Sequence, residues 1–177
     1  NDKDIRYMKI DTFWLKQSNL LLWYQKPSIA YTQKKNNYVD WYPDGKINIF
    51  ENCVSKNIKL GFGKKIAIYC VNKNKQIKSY TYDAINKKVS LFSNILISQL
   101  KNKKIPSCRV MIHASASIES SISMLSCAKL GIHFSVIFED LAPEAIITRI
   151  SIFKPDIFLS RFKKKKIEKT TIKKQNS

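Results

Sequence analysis

The stretch SCRVMIHASASIESSISMLSCAKLGIHFSVIFED, residues 107–140, decides the fold because it places a helix between two apolar strands. Residues 108–113 and 133–138 are short runs rich in branched apolar side chains, a composition typical of strands buried on both faces. The segment between them changes to a helical period, with apolar residues at spacings of four and three: Ile118, Ile122 and Leu125.

The ends of this unit predict its geometry. Gly131 follows the apolar stripe and is typical of a helix end. Two strands joined through a helix must lie parallel, because a direct hairpin leaves no room for a helix. Glu139 and Asp140 mark the end of the second strand. Since open parallel sheets bind ligands at the carboxyl ends of their strands, we expect a ligand site at this edge.

The residues upstream extend the alternation of strands and helices. Strands are predicted at 66–71 and 77–82, separated by the polar loop 72–76. A helix follows at 83–101. It carries the most regular apolar stripe of the chain: Ile85, Val89, Phe92, Leu96 and Leu100.

Downstream, Pro143 suits the first turn of another helix, which Pro155 ends before a short strand at 156–160. Three residues of this helix are predicted to face the sheet: Ile146, Ile147 and Ile150. The pattern predicts an α/β fold with a mainly parallel sheet flanked by helices. Its strands are predicted at 66–71, 108–113, 133–138 and 156–160, with helices 83–101 and 117–130 packed on them.

Residues 1–60 are predicted to form a small helical cap before this core. A helix is expected at 11–26, ending at Pro27, with an apolar stripe that comprises Phe13, Leu20, Leu21 and Tyr24. Residues 27–45 are expected to be irregular, and residues 48–56 to form a short helix. The core begins near Gly61. Gly61 and Gly63 resemble half of a phosphate loop, but no Lys-Ser or Lys-Thr pair follows, which favours a turn.

The net charge of +19 does not by itself predict nucleic-acid binding. The 32 basic residues include only four arginines, whereas sequence-reading proteins favour the bidentate arginine side chain. The joint abundance of Lys, Ile and Asn indicates an AT-rich genome, and nonspecific polyanion binding stays the weaker alternative. No run approaches the ~20 apolar residues of a membrane helix, and the start NDKDIRYMKI lacks the apolar core of a secretory signal. We expect a cytoplasmic location, and Asn1 in place of Met suggests a fragment or a processed chain.

The cysteines and histidines predict no metal site. Cys53, Cys70, Cys108 and Cys127 lack the CxxC spacing of metal ligands, and the last three lie in apolar segments typical of buried free thiols. The two histidines, His113 and His133, stand in apolar runs without acidic or thiol partners at ligand spacing.

Several segments, in the same order, resemble the AMP-forming short-chain acyl-CoA synthetases, which are the acetyl-CoA and propionyl-CoA synthetases. RVMIHASASIESSISMLSCAKLGIHFSVIFEDLAPEAIITRI, residues 109–150, is similar to the start of their adenylate-forming domain, especially in MLSCAKLG and SVIF. FWLKQSNLLLWYQKP and WYPDGKINIFENCV, residues 13–27 and 41–54, resemble their amino-terminal cap.

This resemblance implies a cap at 1–60 and the start of an AMP-binding domain at 61–160. It implies that the intact enzyme uses ATP, Mg and CoA to convert a short-chain carboxylate, acetate or propionate, into its acyl-CoA. We therefore expect the amino-terminal fragment of an acetate or propionate-CoA ligase. The alternative is a noncatalytic α/β binding or interaction module.

The motifs that bind and activate ATP in this family do not occur in these 177 residues. In the family that the chain resembles, a loop rich in glycine, serine and threonine with a lysine binds the ATP phosphates, and an acidic motif serves magnesium and adenylate. A lysine near the end of the family's sequence supports adenylation. Without them, nothing stabilises the charge that develops on the transferring groups. We expect no adenylation by this chain alone.

One CoA contact of the family does fall within the chain. After SVIF the synthetases carry two glycines that let the CoA nucleotide approach the backbone, and the matching positions after Phe138 are Glu139 and Asp140. Two acidic side chains fill that space and repel phosphate, so we do not expect CoA to bind tightly here. In the alternative interpretation the acidic pair caps the following helix.

The end of the chain, RFKKKKIEKTTIKKQNS, residues 161–177, no longer resembles the synthetases. It carries eight basic residues and one acidic residue and has no apolar face sufficient to fold. We expect residues 163–177 to be disordered. A truncated or frameshifted reading frame is the preferred explanation, and a functional basic arm is the alternative.

Overall fold

A computed structural model describes residues 2–35, 38–72, 74–101 and 103–160, so the predictions for 161–177 lie outside the described residues. The α-helices are α1 (Asp2–Ser18), α2 (Tyr82–Gln99), α3 (Ile118–Leu130) and α4 (Pro143–Phe153). The strands are β1 (Trp23–Gln25), β2 (Tyr31–Gln33), β3 (Val39–Trp41), β4 (Lys46–Ile47), β5 (Ile66–Val71), β6 (Ile77–Thr81), β7 (Arg109–His113), β8 (His133–Ile137) and β9 (Ile157–Ser160). Within the described ranges, no helix is both long and apolar enough to cross a membrane.

The central unit is a parallel sheet in which β7 lies between β8 and β9. In this register His113 pairs with both Ile137 and Ser160, so the carboxyl ends of β8 and β9 are level. The prediction that the two strands of the 107–140 stretch are parallel is confirmed. Val110, Met111 and Ile112 are each at most 1% exposed, as expected for a strand covered on both faces.

Local sequence signals set both ends of α3. Ser117 is extended at the amino end, and its hydroxyl accepts a hydrogen bond from the Ser120 amide at 3.2 Å. Gly131 ends the helix in the left-handed region at φ 69°, where a residue without Cβ is favoured. The predicted bounds therefore agree with the structure to within one residue.

Helix α2 contributes to two hydrophobic clusters. Its carboxyl half, with Leu96 and Leu100, packs against β7 and α3 in the sheet cluster: Leu96, Leu100, Cys108, Val110, Ile112, Cys127 and Ile132. Its amino half packs in the hairpin cluster: Phe50, Val54, Tyr80, Ile85 and Val89. The predicted apolar stripe of this helix is confirmed, because its members are buried or half-buried along the whole length.

Strand β5 does not join the parallel sheet in the described part of the chain, so the prediction of one sheet that includes residues 66–71 is wrong. It pairs antiparallel with β6, with Val71 opposite Ile77. Asn72 closes the connecting loop, because its Oδ1 accepts hydrogen bonds from the amides of Asn74 and Gln76, both at 2.9 Å. The hairpin therefore supplies β5 with its partner.

The predicted helix at 11–26 is wrong in its bounds, because α1 ends at Ser18 and Trp23 begins a strand. The indole Nε1 of Trp23 donates to the Ser18 carbonyl at 2.8 Å. Asn52 then holds Leu22 through two hydrogen bonds, accepting from its amide at 2.8 Å and donating to its carbonyl at 2.9 Å. These bonds fix an extended path after residue 18.

The amino-terminal region also contains two strands, β2 and β3, within residues 27–45, which were predicted to be irregular. Strand β2 pairs with β3 and β1 pairs with β4, both antiparallel. The stripe predicted for the first helix is not buried, since each member is at least 43% exposed: Phe13, Leu20, Leu21 and Tyr24.

The short helix predicted at 48–56 is present and continues through residues 49–62, with π-helical stretches at Glu51–Ser55 and Ile58–Phe62. It joins the amino-terminal region to the core. Phe50 is 1% exposed in the hairpin cluster, and Lys129 Nζ lies 4.9 Å from its ring centroid. Asn48 donates to the Ala128 carbonyl at the end of α3, at 2.8 Å.

Helix α4 begins at Pro143 as predicted and ends at Phe153, before Lys154 in the left-handed region at φ 49°. Ile146 and Ile150 are half-buried. Ile147 is 66% exposed, so the prediction that it faces the sheet is wrong.

Candidate ligand site at the carboxyl edge of the parallel sheet

The candidate site lies where β7 and β8 end side by side. Since both strands run in the same direction, the segment that leads into α3 and the turn after β8 meet at one edge of the sheet. The Ala114 amide donates to the Ile137 carbonyl at 3.2 Å and continues the ladder one residue beyond β7. The edge is therefore built from backbone that the sheet itself positions.

Helix α3 presents its amino terminus to this edge. A reciprocal pair of hydrogen bonds joins Ser117 and Ser120, at 3.1 and 3.2 Å, and forms a capping box. Glu119 lies exposed in the first turn, where its negative charge suits the helix dipole. The two serines at this end therefore already have hydrogen-bond partners, and the positive end of the α3 dipole compensates the charge of Glu119.

A cleft of about 1010 Å³ opens between this edge and the β5–β6 hairpin, a volume at the upper end for small-molecule sites. Its ionisable lining groups are three carboxylates and the Lys78 ammonium, together with the Cys70 thiol. The lining segments are residues 70–72, 76–78, 115–119 and 138–140. The hairpin wall was missed by sequence reasoning, because the polar loop predicts a hairpin but not what the hairpin faces.

The structure brings the predicted residues Phe138, Glu139 and Asp140 together in the turn after β8, on one wall of the cleft. Phe138 is 64% exposed, and both acids are exposed. Their carboxylates have no hydrogen bond or ion pair with any residue that the structure describes. Negative charge and side-chain bulk at this position do not fit the phosphates of a CoA nucleotide.

The alternative role of this acidic pair, as a cap for the next helix, is not what the structure shows. The cap residue of α4 is Ala142, which has no side-chain hydrogen bond, and the acid in its first turn is Glu144. Glu139 and Asp140 lie before that cap, in the turn. They contribute negative charge to the cleft.

The two glycines before β5 form a turn, as predicted. Gly61 has φ 83°, a conformation that favours glycine. A Cβ on Gly63 would lie 2.5 Å from a carboxylate oxygen of Asp83, whose amide donates to the Gly63 carbonyl at 3.0 Å. Gly61 therefore serves the backbone conformation of the turn, and Gly63 serves its close approach to the start of α2.

The four cysteines are free thiols. Cys108 and Cys127 are buried, as predicted, and burial raises the pKa of Cys127 to about 12. Cys70 is half-buried in the cleft wall, less buried than predicted, and Cys53 is exposed.

Among the described residues, neither histidine belongs to a cluster of acidic or thiol side chains. His113 Nδ1 lies 3.1 Å from Ser160 Oγ, and His133 is exposed. Among the residues that the structure describes, no three His, Cys, Asp or Glu side chains are grouped as metal ligands would be.

Residues 8–53 match the family model described as acetyl-coenzyme A synthetase N-terminus. The acetyl-coenzyme A synthetase of Streptomyces coelicolor is 30% identical over 138 residues, which are 78% of this chain and 21% of that protein. The Escherichia coli enzyme of the same name is 32% identical over 143 residues, 79% of this chain and 22% of that protein. The chain thus spans about a fifth of the length of these relatives.

A solved structure shows a similar fold. The acetoacetyl-CoA synthetase from Streptomyces lividans aligns with a TM-score of 0.72 and 14% identity, covering 85% of this chain and 23% of that one. At this identity the likeness concerns the fold alone, and it agrees with the predicted α/β class.

Proposed function

We propose that this chain, which is homologous to the amino-terminal region of the AMP-forming acyl-CoA synthetases, forms the cap and the first strands of an acetate or propionate-CoA ligase. The intact enzyme would use ATP and Mg to activate a short-chain carboxylate and transfer it to CoA. The domain division proposed from sequence is a cap at 1–60 and the start of the AMP-binding domain at 61–160. A cytoplasmic location and the absence of a specific nucleic-acid or membrane partner stay predictions.

The observation that carries this proposal is the continuity of the similarity. It extends over more than three quarters of the chain, through both the amino-terminal region and the parallel unit. The packing supports treating the two as one body, because Phe50 lies against the helix at 118–130 in the hairpin cluster. A binding module that had kept only the parallel unit would not need this amino-terminal region.

The chain alone is proposed to be inactive, because catalysis of adenylation depends on groups that stabilise the transferring phosphate. The 177 residues contain no loop of the required composition, and three carboxylates line the described cleft, where they would repel a phosphate. The chain itself contributes the carboxyl edge of the parallel sheet and the amino terminus of α3 beside it.

The direct test is pyrophosphate release by the purified chain with ATP, Mg and acetate or propionate. We expect none above the rate without protein, while an intact acetyl-CoA synthetase in the same assay provides the positive control. The remainder of a related synthetase, added as a separate chain, should restore activity only if the two parts dock. Acyl-adenylate formed by the 177-residue chain alone would contradict the proposal.

The CoA position can be tested by calorimetry with a matched series at Glu139 and Asp140. The wild-type chain should not bind CoA measurably. Glu139→Gln with Asp140→Asn removes the charge and keeps the bulk, whereas Glu139→Gly with Asp140→Gly removes both. We expect CoA binding to be strongest in the glycine pair. Equal absence of binding in all three chains would show that these positions do not decide it.

The second candidate is a noncatalytic binding or interaction module, which the exposed aromatic residues of the amino-terminal region favour. Phe13 is 52% and Trp41 48% exposed, although both are large apolar side chains. The nucleotide sequence beyond the codon of Ser177 discriminates between the two functions. A synthetase phosphate loop in any frame supports the ligase, and an intact gene without one favours the module.

A further inference from the structure

A serine and a histidine lie within hydrogen-bond distance of each other at the carboxyl edge of the parallel sheet. Ser160 and His113 are paired residues of the neighbouring strands β9 and β7, so the register places both side chains on the same face of the sheet. The distance between Ser160 Oγ and His113 Nδ1 is 3.1 Å. A base at this distance from a hydroxyl is the arrangement that activates serine as a nucleophile, so the pair meets the first geometric requirement for nucleophilic catalysis.

The hydrogen bonding of the His113 ring fits the role of a base. Nε2 is buried and has no hydrogen-bond partner among the residues that the structure describes. When the ring carries its proton on Nε2, Nδ1 has a free lone pair that can accept the hydroxyl proton of Ser160. A buried polar atom without a partner costs stability, so a role in packing alone does not account for this ring.

Both side chains line a cavity of about 270 Å³ that lies between the sheet edge, α2 and the start of α3. Its lining is mainly apolar and includes Phe92, Ile112 and Leu159. The cavity is smaller than the roughly 300–1,000 Å³ of sites that enclose drug-sized ligands, so it suits a short acyl group whose alcohol part stays in solvent. A hydroxyl, a base and space for an acyl group therefore lie together.

The first turn of α3 adds an electrostatic component to this cavity through residues 119 and 120. The amides at a helix amino terminus carry a partial positive charge, which suits the oxyanion that forms when a hydroxyl adds to a carbonyl group. Glu119 is exposed to solvent, which weakens the opposing effect of its negative charge. The helix end therefore supplements the pair of Ser160 and His113, which carries the argument.

We propose that Ser160 and His113 form a catalytic pair that hydrolyses small acyl esters. Ser160 Oγ attacks the carbonyl carbon of the ester, and its proton passes to His113 Nδ1. The bond from this carbon to the alcohol oxygen then breaks, and the alcohol leaves with the proton from Nδ1. Water attacks the acyl-serine and gives a proton to Nδ1. The carboxylic acid is released, and the proton on Nδ1 returns to Ser160.

The first test is labelling of the full chain with diisopropyl fluorophosphate, followed by mass spectrometry of the labelled peptides. This reagent phosphorylates a serine that a neighbouring base activates. Ser160 should carry the label, whereas Ser98, which is exposed and donates to the Ile95 carbonyl at 2.7 Å, should not. An unlabelled Ser160, under conditions that label a known serine esterase, would overturn the proposal.

The second test is the hydrolysis of p-nitrophenyl acetate by the full chain. Lysines are acetylated once by this ester and do not turn over, so the steady-state rate is the quantity to measure. Ser160→Ala and His113→Gln should each lower it by about 100-fold. The matched controls Ser98→Ala and His133→Gln replace exposed residues and should leave it unchanged. The small cavity should also make p-nitrophenyl decanoate a poorer substrate than the acetate.

Amide NMR spectra establish whether the variants keep β7 folded. Equal steady-state rates of the wild-type, Ser160→Ala and His113→Gln chains would show that the pair is a structural hydrogen bond only. If His113→Gln does not fold, the wild-type chain still decides, because the lack of turnover and of a label at Ser160 would each contradict the proposal. ATP, Mg and CoA take no part in this reaction, so its absence would leave the proposed ligase function untouched.

Discussion

The parallel unit and the amino-terminal region use similar apolar side chains and bury them very differently. In β7, Val110, Met111 and Ile112 are at most 1% exposed, whereas in residues 10–47 Phe13 is 52% and Trp41 48% exposed. A central strand is covered by neighbouring strands and helices, but two-stranded ribbons such as β1–β4 and β2–β3 bury little by themselves. The amino-terminal region therefore depends on its attachment to the core.

The largest expected effect is at that attachment. Phe50→Ala removes a side chain that is 1% exposed and should lower the free energy of unfolding by about 3–5 kcal/mol. Phe13→Ala, the matched control at an exposed position, should change it by less than about 0.5 kcal/mol. Urea unfolding measures both.

Fluorescence sharpens this test, because the three tryptophans all lie in the amino-terminal region: Trp14, Trp23 and Trp41. In the wild-type chain, fluorescence and circular dichroism should follow the same urea transition. In Phe50→Ala the fluorescence transition should come first. Separate transitions in the wild-type chain would contradict the dependence of this region on the core.

The next effect compares two isoleucines of the parallel unit. Ile112→Ala in the sheet cluster should cost about 2–5 kcal/mol, because it leaves a cavity in a packed core. Ile147→Ala removes the same atoms from a side chain that is 66% exposed, and it should cost less than about 0.5 kcal/mol. Similar losses in urea unfolding would mean that α4 is covered by contacts other than those described.

A smaller effect depends on pH. A hydrogen bond from Lys103, with another from the Arg109 amide, lowers the pKa of Asp156 below its ordinary 3.8. The folded state therefore favours the carboxylate, so this stabilisation is complete above the unfolded pKa and is lost as the pH falls through the folded one. Between about pH 5 and about pH 2, the wild-type chain should lose more stability than Asp156→Asn.

The amino-terminal region offers a counterpart at Asp44, whose pKa is lowered by hydrogen bonds from the Ser28 hydroxyl and amide. If both regions unfold together, Asp44→Asn and Asp156→Asn should each flatten the acid dependence of one common urea midpoint. The same acid loss in the wild-type chain and in Asp156→Asn would contradict the stated role of Asp156.

The smallest expected effect is at the end of the chain. Deletion of residues 163–177 should leave the melting temperature nearly unchanged, since that segment has no apolar face to bury. A full-length chain with its tail lysines changed to Gln is the control for charge alone. A large fall in melting temperature after deletion would show that the tail is part of the fold.

Local chemistry made the parallel unit predictable. Ser117 and Gly131 are residue types that start and end helices by their own conformation, and the flanking apolar runs have strand length. The position of the candidate acids could be predicted as well, because the end of β8 fixes where residues 138–140 lie. Whether CoA uses that position stays a prediction.

Long-range contacts made the amino-terminal region harder to predict. The end of α1 depends on Asn52, which lies 30 residues from the Leu22 backbone that it holds. From the sequence, β5 could pair either with the parallel sheet or with β6. The hydrogen bonds of the Asn72 loop stabilise the hairpin with β6. The hairpin wall of the cleft, with Cys70 and Lys78, follows from that tertiary arrangement and has no local sequence signal.

The hydrogen bond between Asn48 and the Ala128 carbonyl joins residues 80 positions apart, and it has a consequence for synthesis on the ribosome. The amino-terminal region is translated well before α3, so Phe50 has no complete binding surface during that interval. Contacts of such sequence separation form late, and exposed apolar segments of nascent chains recruit chaperones. We therefore expect the first third of this protein to stay unpacked, with its aromatic residues accessible to chaperones, until residue 128 has left the ribosomal exit tunnel.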